Sequence, residues 1–166
     1  MPYLAVAIPV GTFGDNYEPN MRVGGFLGFH VGSLVSLNLE GSLELMEKKN
    51  KPTDYSGIFF ELALSPFFHV ELGRIELIAG PKLGGFLSSE SHMEYSTASD
   101  AGHGYLYGVN VGVLAAVGER LAIGGMASFT NRSFSKFCST VSLGGEKVCS
   151  DASDRGTLSL SAVFMF

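Results

Sequence analysis

The sequence contains no tryptophan, only two cysteines and few charged side chains. Charged residues make up 16% of the 166 residues, and the net charge of −5 comes with no basic stripe, which argues against a nucleic-acid partner. A disordered chain is also excluded, because 46% of the residues are hydrophobic. The two cysteines and four scattered histidines lack the spacing of metal ligands, so neither a metal site nor a cofactor is expected. The length suits one domain, residues 1–166.

Long hydrophobic runs free of charge are also scarce. The two longest, 23–39 and 101–118, carry glycine at every fourth position, which is a pattern of packed transmembrane helices. Both runs are near the lower length limit for a membrane helix, and glycine is unfavourable inside one. Because the neighbouring segments alternate with a period of two, we interpret both runs as strands.

A strict alternation of apolar and small or polar residues is what the sequence does contain. It is clearest in the last ten residues, 157–166, and a period of two is the signature of a strand. Seven earlier segments show it as well: 3–13, 21–31, 35–45, 58–72, 75–87, 103–117 and 121–134. The connections after the second, fourth and sixth segments are short, and the others are long. The sequence therefore predicts an all-β, eight-stranded, antiparallel up-and-down transmembrane β-barrel, with short periplasmic turns and long extracellular loops.

A soluble barrel that binds a ligand in its cavity, such as a lipocalin, has a similar length and strand number. Its polar face would meet water, but here that face is rich in glycine, serine and alanine, which suits a crowded interior. Lipocalins also carry a tryptophan in their first strand, and this chain has none. The membrane barrel is therefore the preferred interpretation.

The architecture and the closing strand, which ends at Phe166, resemble the eight-stranded outer-membrane proteins of the OmpA-domain and OmpX kind. This resemblance implies residence in the bacterial outer membrane, in contact with its lipids and lipopolysaccharide. It also implies insertion by the barrel-assembly machinery, with Phe166 as the sorting signal. Met1 and Pro2 lead into apolar residues without the basic segment of a signal peptide, so we expect the sequence to be that of the mature chain.

The polar face carries charged side chains that a lipid-embedded barrel must enclose and pair. We expect an interior charge network formed by Arg22, Glu40, Glu61, His69, Lys82 and Arg132. The two cysteines, Cys138 and Cys149, bracket the tip of the longest loop, and in an exported protein they are expected to form a disulfide. An aromatic girdle is expected at the membrane boundaries from Tyr55, Tyr105, Tyr107, Phe164 and Phe166.

The sequence offers no catalytic motif. The His-x-Ser pair of lipid A deacylases is absent, and the residues Ser91, His92 and Asp100 gather only loosely in one predicted loop. We therefore expect a non-enzymatic scaffold or an adhesin-like surface protein that acts through its extracellular loops on a partner outside the cell. The alternatives are a small channel or conduit for hydrophobic compounds and, less favoured, a lipid A-modifying enzyme.

Overall fold

The described part of the chain folds almost entirely into strands. The computed structural model describes residues 1–11, 17–47, 55–92, 98–118, 121–141, 146–150 and 155–165. Its strands are β1 (Pro2–Val10), β2 (Asn20–Val31), β3 (Val35–Glu47), β4 (Tyr55–Leu72), β5 (Ile75–His92), β6 (Ala98–Ala116), β7 (Ala122–Val141), β8 (Glu146–Ser150) and β9 (Arg155–Met165). Within these ranges, no helix is long and apolar enough to cross a membrane.

Eight of the strands close into an antiparallel barrel. Each of β1 to β7 pairs with the next strand, and β9 pairs with both β7 and β1, which completes the ring. The short β8 pairs with β7 at the far end of that strand and is not part of the ring. The predicted all-β, eight-stranded antiparallel barrel is confirmed.

The barrel is apolar outside and polar inside. In β3, Leu37, Leu39 and Leu43 are 44–45% exposed on the outer face, whereas Asn38 and Glu40 are at most 4% exposed in the interior. The same alternation continues around the ring, because successive side chains of a strand point to opposite faces. An eight-stranded barrel is just wide enough for side chains to fill it, so the inward residues form the core.

The strands on one side are longer than the sequence pattern predicts. Strands β4 to β7 contain 18 to 20 residues, whereas a tilted membrane strand needs about 9–11. The connection predicted between residues 87 and 103 is largely a ladder between β5 and β6, and the connection predicted between residues 134 and 157 contains the end of β7 and all of β8. These extensions have polar residues on both faces, so they lack the periodic signal by which strands are recognised.

Some inward-facing glycines allow a close approach to the backbone of the neighbouring strand. A Cβ atom at Gly108 would overlap the carbonyl oxygen of Phe129 on the neighbouring strand. A Cβ atom at Gly41, on the outer face, would have no neighbouring atom within 4 Å.

Gly108→Ala is expected to lower the free energy of unfolding by about 1–3 kcal/mol, because the ladder between β6 and β7 must shift to admit the methyl group. Gly41→Ala should be neutral or raise it by up to about 1 kcal/mol, since it only restricts the unfolded chain. Urea titration of both variants in lipid vesicles measures the difference. Equal effects would contradict the close approach at Gly108.

Candidate functional site: the charged interior and the turn-side mouth

Six charged side chains meet halfway along the interior of the barrel. We call them the ion layer: Arg22 from β2, Glu40 and Glu44 from β3, Glu61 from β4, Lys82 from β5 and Arg132 from β7. All six are at most 2% exposed. The three cations balance the three carboxylates, so the layer is neutral as a whole.

Glu61 is the hub of the ion layer. Its Oε2 atom lies 2.6 Å from Nη2 of Arg22 and 3.0 Å from Nζ of Lys82. Its Oε1 atom accepts a hydrogen bond of 2.6 Å from Nε of Arg132. One carboxylate therefore contacts cations from three different strands, so protein side chains compensate its negative charge.

The other two carboxylates complete the layer. Glu40 Oε1 lies 3.1 Å from Nη2 of Arg22 and 2.9 Å from Nζ of Lys82. Tyr3 donates a further hydrogen bond of 2.8 Å to the same oxygen. Glu44 pairs with Arg132. Buried ions remain charged only when such partners replace water, and each carboxylate here has at least one.

Apolar side chains cover the ion layer on both sides. On the side of the long connections, the rings of Phe59, Phe86 and Phe134 pack edge to face with centroids 4.8–6.2 Å apart. The guanidinium carbon of Arg132 lies 4.4 Å from the centroid of Phe59. On the side of the short turns, Phe26 and Phe67 meet at 5.2 Å. Buried apolar side chains thus lie between the ions and each mouth of the barrel.

The structure brings five of the six predicted network residues together, namely Arg22, Glu40, Glu61, Lys82 and Arg132. His69 lies elsewhere, at the mouth on the side of the short turns. Glu44 belongs to the layer although the predicted network omits it. Its place in the alternation of β3 puts it on the inward face, which is the signal that could have found it.

His69 is part of a second cluster at that mouth. Its Nδ1 lies 2.5 Å from Oε1 of Glu76, and its Nε2 lies 2.7 Å from Oγ of Ser36. The ring of His30 lies 4.8 Å from the ring of His69, measured between centroids. His30 is directly opposite Ser36 in the ladder of β2 and β3, and the small serine lets the two imidazoles approach across β3. The two histidines line a cavity of about 240 Å³ that opens at the mouth.

Three of the predicted girdle residues, Tyr105, Tyr107 and Phe164, have described side chains, and all three face outward. Tyr105 and Tyr107 are 56% and 44% exposed on the outer face, and Tyr107 accepts a hydrogen bond of 2.6 Å from Asn131. Phe164 faces outward near the short turns, with 38% exposure. The side chain of Tyr55 and the whole of Phe166 lie outside the described residues, so the sorting signal stays a prediction.

The cysteines lie on neighbouring strands beyond the barrel ring. The register of β7 and β8 sets Cys138 directly opposite Cys149. Cys138 is not a free thiol, but the side chain of Cys149 lies outside the described residues, so the bridge stays a prediction. The side chains of Ser91, His92 and Asp100 are also outside them.

No protein-family model matches the sequence, and no curated protein matches it either. Among solved structures, the chain is similar to the outer membrane protease OmpT from Escherichia coli, with a TM-score of 0.46 and 10% identity. The similarity covers 89% of this chain and 62% of that one, so this chain spans less than two thirds of that structure. The likeness concerns the fold alone, and the resemblance to OmpA and OmpX stays a prediction.

One prediction is corrected by this comparison. From the missing motifs, the sequence predicts that the protein is not an enzyme, yet the barrel found to be similar is a protease. The absence of known motifs is therefore no ground for excluding an enzyme, and that prediction is wrong. At this identity the likeness gives the chain no activity, and proteolysis is not carried over to it.

Proposed function

We propose that the protein resides in the bacterial outer membrane and acts at the cell surface through the long ends of β4 to β8. The observation that carries the proposal is the distribution of side chains around the barrel. Leucines, valines and phenylalanines cover the outer face, while Arg22, Lys82 and Arg132 are buried inside with at most 1% exposure. Such an arrangement is stable where lipid surrounds the barrel, and a closed ring satisfies its backbone without water.

The proposed surface role rests on the strand extensions. Past Leu87 the outward positions of β5 are polar, beginning with Ser89, so the apolar band ends while the ladder with β6 continues to His92. A paired hairpin holds its shape beyond the membrane better than an open loop, and it offers polar groups to a partner outside the cell. The packing inside the barrel favours a surface role over a conduit, because buried apolar side chains cover the ion layer on both sides.

Labelling of intact cells with a membrane-impermeant maleimide tests the placement. In a chain whose native cysteines are replaced by serine, Ser89→Cys should react from outside, because it lies on an exposed outward position past the apolar band. Ser33→Cys, in the exposed turn between β2 and β3, should react only after the cells are opened. The reverse pattern, or equal labelling of both, would overturn the proposal.

Single-channel recording in planar bilayers separates the surface role from the conduit. The purified barrel should give no discrete conductance steps, since buried apolar side chains pack on both sides of the ion layer. Steps that persist in the purified protein and vanish after heat denaturation would establish a pore and overturn the closed interior.

The disulfide belongs to the same proposal. We expect Cys138 and Cys149 to be bridged in protein isolated from membranes, because the ladder sets them opposite each other and the outside of the cell is oxidising. A bridge over a loop of this size stabilises the fold by about 3 kcal/mol. Thiol titration in denaturant should find no free thiols without a reductant and two per chain after reduction. Two free thiols before reduction would contradict the bridge.

A further inference from the structure

We propose that His30, His69 and Glu76 form a binding site for a divalent metal ion, of which Zn²⁺ is the best match, at the turn-side mouth of the barrel. The residues come from β2, β4 and β5, and each offers one ligand atom. Two imidazoles and a carboxylate are the protein ligands of many zinc sites that keep a fourth position open. This site goes beyond the surface role proposed above and lies at the opposite end of the barrel.

The geometry is close to that of a bound ion. The three ligand atoms lie within 4.8 Å of one another. Zinc bonds of about 2.0–2.2 Å place tetrahedral ligands roughly 3.4 Å apart. The most distant pair therefore needs to draw together by about 1–1.5 Å, and Nδ1 of His69 and Oε1 of Glu76, which are 2.5 Å apart, need to separate by about 1 Å. His30 is exposed and has the freedom to turn inward, whereas His69 is buried and fixed.

The surroundings of His69 also fit a metal ligand. A metal-bound histidine usually donates its second ring N–H to a nearby acceptor, which fixes the orientation of the ring. Ser36 Oγ is in that position, 2.7 Å from Nε2, while Nδ1 faces Glu76. Asn38 donates a hydrogen bond of 2.7 Å to the same hydroxyl, and an oxygen with two lone pairs can accept both bonds. The serine thereby acts as a support for the ring.

The cavity beside the two histidines leaves room for an open coordination position. Both histidines line this space of about 240 Å³, which is large enough for water molecules that would complete the coordination of the ion. Ser36, His69 and Glu76 also stand in the order of a serine hydrolase triad. Ser36 is only 2% exposed and its hydroxyl accepts from Asn38, so an acyl substrate reaches it far less easily than an ion reaches the exposed His30.

Isothermal titration of the chelator-treated, tag-free barrel in detergent with ZnCl₂ alone tests the site. We expect one ion per chain. His30→Ala and Glu76→Gln should each weaken binding at least tenfold, since even a residue that only supports a ligand typically contributes about 10–100-fold. The matched controls are His103→Ala, an exposed histidine on β6, and Glu71→Gln, an exposed carboxylate paired in register with Glu76. Both controls should bind like the unmodified protein.

Three outcomes would overturn the site: no binding, binding unchanged in His30→Ala and Glu76→Gln, or equal weakening in Glu71→Gln and Glu76→Gln. Covalent labelling of Ser36 by a fluorophosphonate in the metal-free barrel would also overturn it in favour of a hydrolase. Circular dichroism and the gel mobility of unheated samples show which variants form the barrel. If His30→Ala does not fold, His30→Asn, which keeps a polar side chain at that exposed position, takes its place.

Discussion

Glu61→Gln should lower the free energy of unfolding of the barrel by about 3–5 kcal/mol, the usual effect of leaving a buried charge without its partner. The substitution preserves the shape of the side chain but removes one of three negative charges. Arg22, Lys82 and Arg132 then share two carboxylates, at a depth where water cannot replace the third. Urea titration in lipid vesicles, followed by circular dichroism, measures the loss.

A second substitution distinguishes charge imbalance from the mere loss of contacts. Adding Lys82→Met to Glu61→Gln restores equal numbers of cations and carboxylates, so the double variant should be less destabilised than the sum of the two single variants. Glu71→Gln removes an exposed carboxylate from the same strand as Glu61 and should change the free energy of unfolding by less than about 0.5 kcal/mol. Additive effects would show that the ion layer is hydrated and that its charges act independently.

Leu39→Arg should destabilise the barrel in lipid by about 2–4 kcal/mol, because an outward charge near the middle of the membrane must leave water. Leu39 is 44% exposed on the outer face of β3, and the paired Leu27 and Leu64 beside it are exposed as well. The measurement is again a urea titration in vesicles, with the same variant in detergent as a comparison.

Ser89→Arg is the matched control for the lipid face. It introduces the same side chain at an exposed outward position of β5, but past the apolar band, where the expected change is about 0–1 kcal/mol. If both arginines were tolerated equally in vesicles, the apolar outer face would not be in contact with lipid, and the proposed location would fail.

The period of two in the sequence was enough to predict the eight strands of the barrel ring and the face of most residues. It placed Arg22, Glu40, Glu61 and Lys82 inside because each alternates with outward leucine, valine or phenylalanine. It could not assign every ion-pair partner: Arg132 pairs with Glu44, 88 residues away in the sequence. The stagger of the strands decides which inward side chains lie at the same height in the barrel, and the alternation does not reveal that stagger.

The mouth cluster could not be predicted for the same reason. His30, His69 and Glu76 lie far from the spacing of a known metal motif, and they meet only because β3 presents the small Ser36 between the two histidines. The long ends of β5 and β6 were missed because their polar residues, such as Ser89, Ser91 and Asp100, resemble a loop in the sequence. In both cases the information resides in the pairing of strands, which a single sequence does not display.

The seam between β1 and β9 joins the two ends of the sequence, with Tyr3 opposite Val163. Because β9 also pairs with β7, the ring cannot close until β9 has paired with both β1 and β7. Until then β1 and β7 expose unpaired edges, to which a strand from any other chain can add. A pairing of such long range also forms slowly. Substitutions in β9 should therefore reduce the yield of folded barrels more than they weaken the finished one, and a partner that shields these two edges during assembly would protect the whole protein.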